Sequence, residues 1–190
     1  MAEKKKILVH ACCASCSSYV LPYLSDTYNV TAYFFNPNIH PAGEYKLRLR
    51  EMRPLCRELV INLIEGDYLP EEWQLATESY RHLPERSERC WACYRLRLAK
   101  TAETAAELGI ETFTSTLSVS PHKVHPRIVD IGKAAAKRLG LEFLAEDFKK
   151  KNGFKISVQR SKELGLTRQD YCGCALSLEE SRERKRKSDK

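Results

Sequence analysis

Six of the eight cysteines stand in three tight groups: Cys12-Cys13, Cys90-Trp91-Ala92-Cys93 and Cys172-Gly173-Cys174. Cys16 follows the first group closely and Cys56 stands alone. Thiolates are soft ligands that favour zinc and iron–sulfur clusters, so the grouping predicts a metal or redox centre built from three distant segments. Cysteines three apart share a helix face, which lets Cys90 and Cys93 approach one metal. That spacing serves zinc, Fe–S and thioredoxin-like sites alike. A thioredoxin-like site would lie near the first strand, and this motif is mid-chain. The side chains of neighbours such as Cys12 and Cys13 tend to diverge, which suits different irons of a cuboidal cluster better than a single zinc. Cys12, Cys13, Cys90 and Cys93 then form a four-thiolate ligand set. One residue between Cys172 and Cys174 allows a strained disulfide or a ligand pair for a second metal, with Gly173 permitting the bend. Two buried thiols in a small-residue turn are the ordinary alternative. Cys16 reads as a further ligand or a packed thiol, and Cys56 as core.

These groups need a frame. Lys6–His10 reads as a first strand ending at the first cysteines, with helical patterning resuming near Ser17–Leu24. Val30–Phe35 reads as a buried strand broken by Asn36-Pro37-Asn38. A charged helix over 43–59, disturbed at Pro54, precedes a third strand at Val60–Ile64 and a helix opened by Pro70. Trp91–Leu108 reads as a helix closed by Gly109. Thr112–Leu117 reads as a strand rising into the turn Ser118–Pro121, followed by a helix over 126–139 and a short strand at 141–145. Residues 149–155 read as a loop, with helical stretches near 157–165 and 175–186. This alternation predicts a parallel-sheet α/β sandwich of three layers, forming one domain over 1–178 with a basic, frayed tail over 179–190.

Ligands of such sheets collect beyond the carboxyl ends of the strands. Cys12–Cys16, Asn36–His40, Asp67-Tyr68 and Ser115–Ser120 all follow strands, so one edge gathers them. There Asn36 and His40 could face a substrate, and Asp67 and Tyr68 could donate a proton or bind metal. Each also has a plain reading as loop or turn structure. His10 reads as a satisfied core histidine and Lys149–Lys151 as solvated surface. No Walker loop or G-x-G-x-x-G is present, which gives a nucleotide cofactor no support.

Net charge is +7, a balance that fits a polyanionic partner such as RNA. The apolar run after MAEKKK is too short for a signal peptide, and no stretch approaches the ~20 apolar residues of a membrane span. A cytoplasmic location with reduced thiols is therefore expected.

The chain resembles the cobalamin-independent epoxyqueuosine reductases of tRNA queuosine synthesis. The resemblance covers roughly residues 6–178. It rests on LVHACCASCS (8–17), FNPNIHP with Glu44-Tyr45, EGDY (65–68), PERSERCWACYRLRL (84–98), FTSTLSVSP (113–121), DFKKKNG (147–153) and RQDYCGC (168–174). Ser15 stands where that family commonly has proline and Ser87 where it has glycine, which bears on loop shape rather than on ligands. The resemblance implies a fold similar to adenine-nucleotide alpha hydrolases and a [4Fe–4S] cluster on Cys12, Cys13, Cys90 and Cys93. It further implies a redox pair or adjoining metal site at Cys172 and Cys174, and no cobalamin. The implied partners are a tRNA carrying epoxyqueuosine and an electron donor. Epoxide deoxygenation takes two electrons and two protons, so a second iron on Cys172, Cys174 and Asp67 would be useful, with Tyr68 or His40 protonating the oxygen. The rivals are a zinc-stabilised tRNA-binding protein and a tRNA sulfur transferase.

Overall fold

Alternate residues of the central strand β1 (Lys6–His10) feed two separate cores. In the computed structural model, which describes residues 3–188, Ile7 and Val9 pack under helices α1 (Ala14–Ser25) and α2 (Ala42–Glu58). Leu8 points to the opposite face, against α4 (Glu88–Glu107) and α5 (His125–Leu139). β2 (Asn29–Phe34) alternates in the same way, with Val30, Ala32 and Phe34 on one side and Tyr33 on the other. Burial on both faces explains the unbroken apolar runs of these strands.

β3 (Asn62–Glu65), β4 (Thr112–Ser115) and β5 (Glu142–Phe143) complete an all-parallel sheet in the order β3-β2-β1-β4-β5. Helices on both faces make the predicted three-layer α/β sandwich. The order runs outward in both directions from β1. The crevice between the β1 and β4 ends is therefore the topological switch point where open α/β sheets bind ligands. Three further helices complete the described residues: α3 (Pro70–Thr77), α6 (Gly153–Glu163) and α7 (Ala175–Ser188).

The boundaries depart from expectation for identifiable reasons. β3 starts two residues later than the predicted Val60, because Val60 sits in the left-handed region (φ 55°) and belongs to the end of α2. There Ile61 N–H donates to Cys56 O at 2.9 Å, closing the helix as a glycine usually would. Val60 is 92% exposed and has no packing to lose, so Val60→Gly is expected to raise stability by about 1 kcal/mol. A chemical-denaturation midpoint checks it, and an unchanged or lower midpoint would contradict it.

β4 ends at Ser115 instead of Leu117, since the Ser115 hydroxyl accepts Leu117 N–H at 3.2 Å and turns the chain into a 3-10 turn over Thr116–Val119. α1 begins at Ala14, right behind the cysteines, and α2 continues through Pro54. α6 starts inside the expected loop, at Gly153, where any Cβ would lie 1.9 Å from Phe148 O. α7 crosses residue 178 as one helix; Ser181 is buried, and Glu180 pairs with Arg89 at 2.8 Å.

Candidate metal centre

The first thiols occupy the β1–α1 turn. Cys13 is the N-cap residue of α1, and the sulfurs of Cys12, Cys13 and Cys16 lie within 4.8 Å of one another. Cys90 falls in the first turn of α4 and receives the Arg86 backbone N–H at 3.3 Å; Cys93 follows one turn later. Cys174 directly precedes α7, where its sulfur accepts Ser177 N–H at 3.3 Å. Each cysteine group thus has a member at a helix N-terminus, where the backbone dipole favours a thiolate.

Arg97 ties two of these segments together. It is 1% exposed and lies one turn beyond Cys93, whose sulfur is 3.9 Å from its Nη1. Its Nη2 donates to Asn36 Oδ1 at 2.7 Å, and its Nε lies 3.4 Å from Nε2 of His10, two residues before Cys12. Cys93, Cys12 and Cys172 all lie within electrostatic reach of this guanidinium. Cys93 and Cys174 also pack together against Trp73, and Cys172 lies within electrostatic reach of Cys90. The three groups therefore meet on one side of the molecule, at the carboxyl edge of the sheet.

Two more cations are buried here. Lys123 Nζ is 2.5 Å from Cys172 Sγ and 3.7 Å from Glu85. Burial opposes its ammonium, but the Cys172 charge and Glu85 outweigh that and hold it well above the ordinary lysine value. Arg48 pairs with Glu44 at 2.7 Å and lies beneath the 172–174 turn, where a Cβ on Gly173 (φ +119°) would come within 3.0 Å of its Nη1. Arg48 Nη2 and Trp73 Nε1 are buried donors without a partner.

The thiols repel one another's charge. Hydrogen bonding from Cys13 and Cys16 holds Cys12 well below the usual thiol value, while the same bond pushes Cys13 up to about 12 and Cys16 rises well above normal. Burial raises Cys90, and burial with the Cys172 charge pushes Cys174 up to about 12. Without a metal, then, one thiolate suffices for the first group. Ionising several of these thiols together is disfavoured, and a bound cation would offset that while releasing their protons.

The other predicted residues fall as follows. Asn36 is fully buried rather than turned to the open edge: its amide nitrogen donates to Ala11 O at 2.9 Å and its oxygen holds Arg97. The His40 side chain is exposed, and its backbone clamps the third cysteine segment, with its N–H on Gly173 O at 2.7 Å and its carbonyl receiving the Tyr171 hydroxyl at 2.7 Å. The Tyr68 hydroxyl is committed to Ile39 O at 2.7 Å and its ring stacks on Tyr45, so it is no free proton donor. Asp67 is exposed beyond β3, and among the described residues Cys12, Cys13 and Cys16 are the only metal-ligating trio within 4.8 Å; neither Cys90 and Cys93 with the first group nor Asp67 with Cys172 and Cys174 closes one. β3 stands two strands from β1, about 10 Å at the usual spacing. Cys172 and Cys174 are free thiols.

His10 is a core histidine. Its Nε2 lies 3.1 Å from Phe35 O and 3.4 Å from Arg97 Nε, and its Nδ1 shares a hydrogen bond with the Ser115 hydroxyl at 2.9 Å. Burial and the Arg97 charge lower it to about 3, which keeps the ring neutral. Cys56 packs in the core beneath α2. Sequence reasoning did not single out Arg97, Lys123 or Arg48. For Arg97 a signal existed: positions 90, 93 and 97 share one helical face.

No helix among the described residues is long and apolar enough to cross a membrane. A family profile described as epoxyqueuosine reductase QueH matches residues 7–180. A protein of that name from Streptococcus pyogenes is 40% identical over 180 residues, covering 92% of this chain and 71% of its own. The Thermotoga maritima protein of the same name is 37% identical, covering 94% of this chain and 93% of its own. A Helicobacter pylori relative is 37% identical over 96% of this chain, which spans about half (52%) of that protein's length. With its profile match running from β1 into α7, the chain belongs to the epoxyqueuosine reductase QueH family.

Proposed function

We propose that this protein reduces epoxyqueuosine to queuosine in tRNA, in the cytoplasm. The reading holds that Cys12, Cys13, Cys90 and Cys93 carry a [4Fe–4S] cluster and that Cys172 and Cys174 serve an adjoining redox or iron site. What carries it is the meeting of three cysteine segments around the buried Arg97, in a chain whose family match spans nearly its whole length. The donor set fits such a group: soft sulfurs, buried cations on the same side, and two partnerless buried donors, Arg48 Nη2 and Trp73 Nε1, near the thiols. When bound, a [4Fe–4S] cluster supplies single electrons, and a neighbouring iron supplies Lewis acidity toward an epoxide oxygen.

The chain's own residues do the rest. Lys123 holds a proton at Nζ in contact with the Cys172 sulfur, so the proton-donor role falls to it rather than to Tyr68 or His40. Glu85, a quarter exposed, links it toward solvent. Trp73, Trp91 and Tyr94 wall the site with apolar surface and limit water. Exposed lysines and arginines would meet the tRNA backbone, with an unstacked anticodon base presented to the sheet edge. Residues 1–178 act as one domain in this reading.

The test is an anaerobic assay with a strong chemical reductant and tRNA bearing epoxyqueuosine. Conversion to queuosine, read by mass spectrometry of digested nucleosides, is expected. An iron-loaded protein that leaves the epoxide intact would sink the assignment, and sulfur entering the RNA would favour the transferase.

A further inference from the structure

Three of the deeply buried cations own a carboxylate: Arg48 has Glu44 at 2.7 Å, Arg89 has Glu180 at 2.8 Å and Lys123 has Glu85 at 3.7 Å. Arg97, the most buried of them with Arg48 next, pairs with no carboxylate within 4.0 Å among the described residues; its polar contacts are Asn36, His10 and the Cys93 sulfur. Asn36 is neutral. His10, whose Nε2 lies 3.4 Å from Arg97 Nε, is an imidazole and brings no negative charge. An interior guanidinium facing only neutral groups is strongly disfavoured. The sulfurs are the one source of negative charge at hand.

We propose that Arg97 is a positioning residue that sets the reduction potential of the centre on Cys93, acting as a fixed counter-charge and as an N–H donor to that ligand's sulfur. The inference rests on the cluster reading above. A fixed positive charge stabilises whichever redox state carries more electrons, and hydrogen bonds to ligand sulfur act in the same direction. Arg97 therefore raises the potential and makes the centre easier to reduce. Asn36 and His10 hold the fork in place without offering a competing anion.

The experiment compares anaerobically purified wild type, Arg97→Gln and Arg97→Lys by redox titration followed with electron paramagnetic resonance, with iron content measured alongside. Arg97→Gln is expected to shift the reduction equilibrium at least tenfold toward the oxidised form, a fall of about 59 mV for a one-electron couple. Arg97→Lys, which keeps the charge and loses the fork, is expected to shift it by less than half as much. A loaded Arg97→Gln with wild-type potential overturns the proposal. Should Arg97→Gln fail to load, a loaded Arg97→Lys near the wild-type potential supports it, and a folded Arg97→Lys that also holds no iron overturns it. Wild type without iron removes the cluster reading and this proposal together.

Discussion

Cys90→Ser is expected to strip most of the iron from the protein and lower turnover by at least ~10³-fold, equivalent to about 4 kcal/mol of transition-state stabilisation. A serine hydroxyl does not ionise near neutral pH and is a poor ligand for iron where a thiolate is a good one. The position has no slack, because Cys90 lies in the first turn of α4, with its sulfur fixed by the Arg86 N–H and its side chain buried. Cys56→Ala is the control. Cys56 lies in the core cluster on the α1/α2 face, so it should cost about 1 kcal/mol of stability and leave iron content unchanged. Iron and sulfide analysis beside the nucleoside assay reads both variants. A Cys90→Ser protein with full iron and activity would contradict the ligand assignment.

Cys174→Ser should separate the two sulfur groups. Turnover is expected to fall below about one hundredth of wild type while most of the cluster absorbance survives. The substitution is mild for the fold: Cys174 acts as the cap of α7 through Ser177 N–H, and serine is a favoured residue for that role. Loss of activity with an intact helix would then report the missing thiol rather than unfolding. Unchanged turnover would remove Cys174 from the chemistry. Loss of the cluster itself would mean that the third segment ligates it, a different division of labour from the one proposed.

Much of this arrangement is legible in the sequence. The strand-loop-helix alternation placed Cys12–Cys16 and Ser115–Ser120 on one edge, because all parallel strands end on the same side. Strand order was not legible: which strands neighbour β1 depends on crossovers that local pattern does not encode, and that order is what puts Asp67 two strands away. Two polar residues follow their plain loop reading for a related reason. Asn36 and Tyr68 occupy the edge in sequence, yet the loops fold inward and spend those side chains on Ala11, Arg97 and Ile39. Arg97 and Lys123 escaped notice because charged residues are usually solvated, and only the tertiary structure shows them buried against sulfur.

The most direct test of the account is the Mössbauer spectrum of protein produced anaerobically with isotopically enriched iron, recorded for wild type and for Cys90→Ser. Wild type should display the signal of a [4Fe–4S] cluster at about four irons per chain, and that signal should be gone from Cys90→Ser. A wild-type chain that holds zinc alone, or a cluster signal that persists without Cys90, would mean that the Cys12-Cys13 and Cys90–Cys93 segments do not share an iron centre.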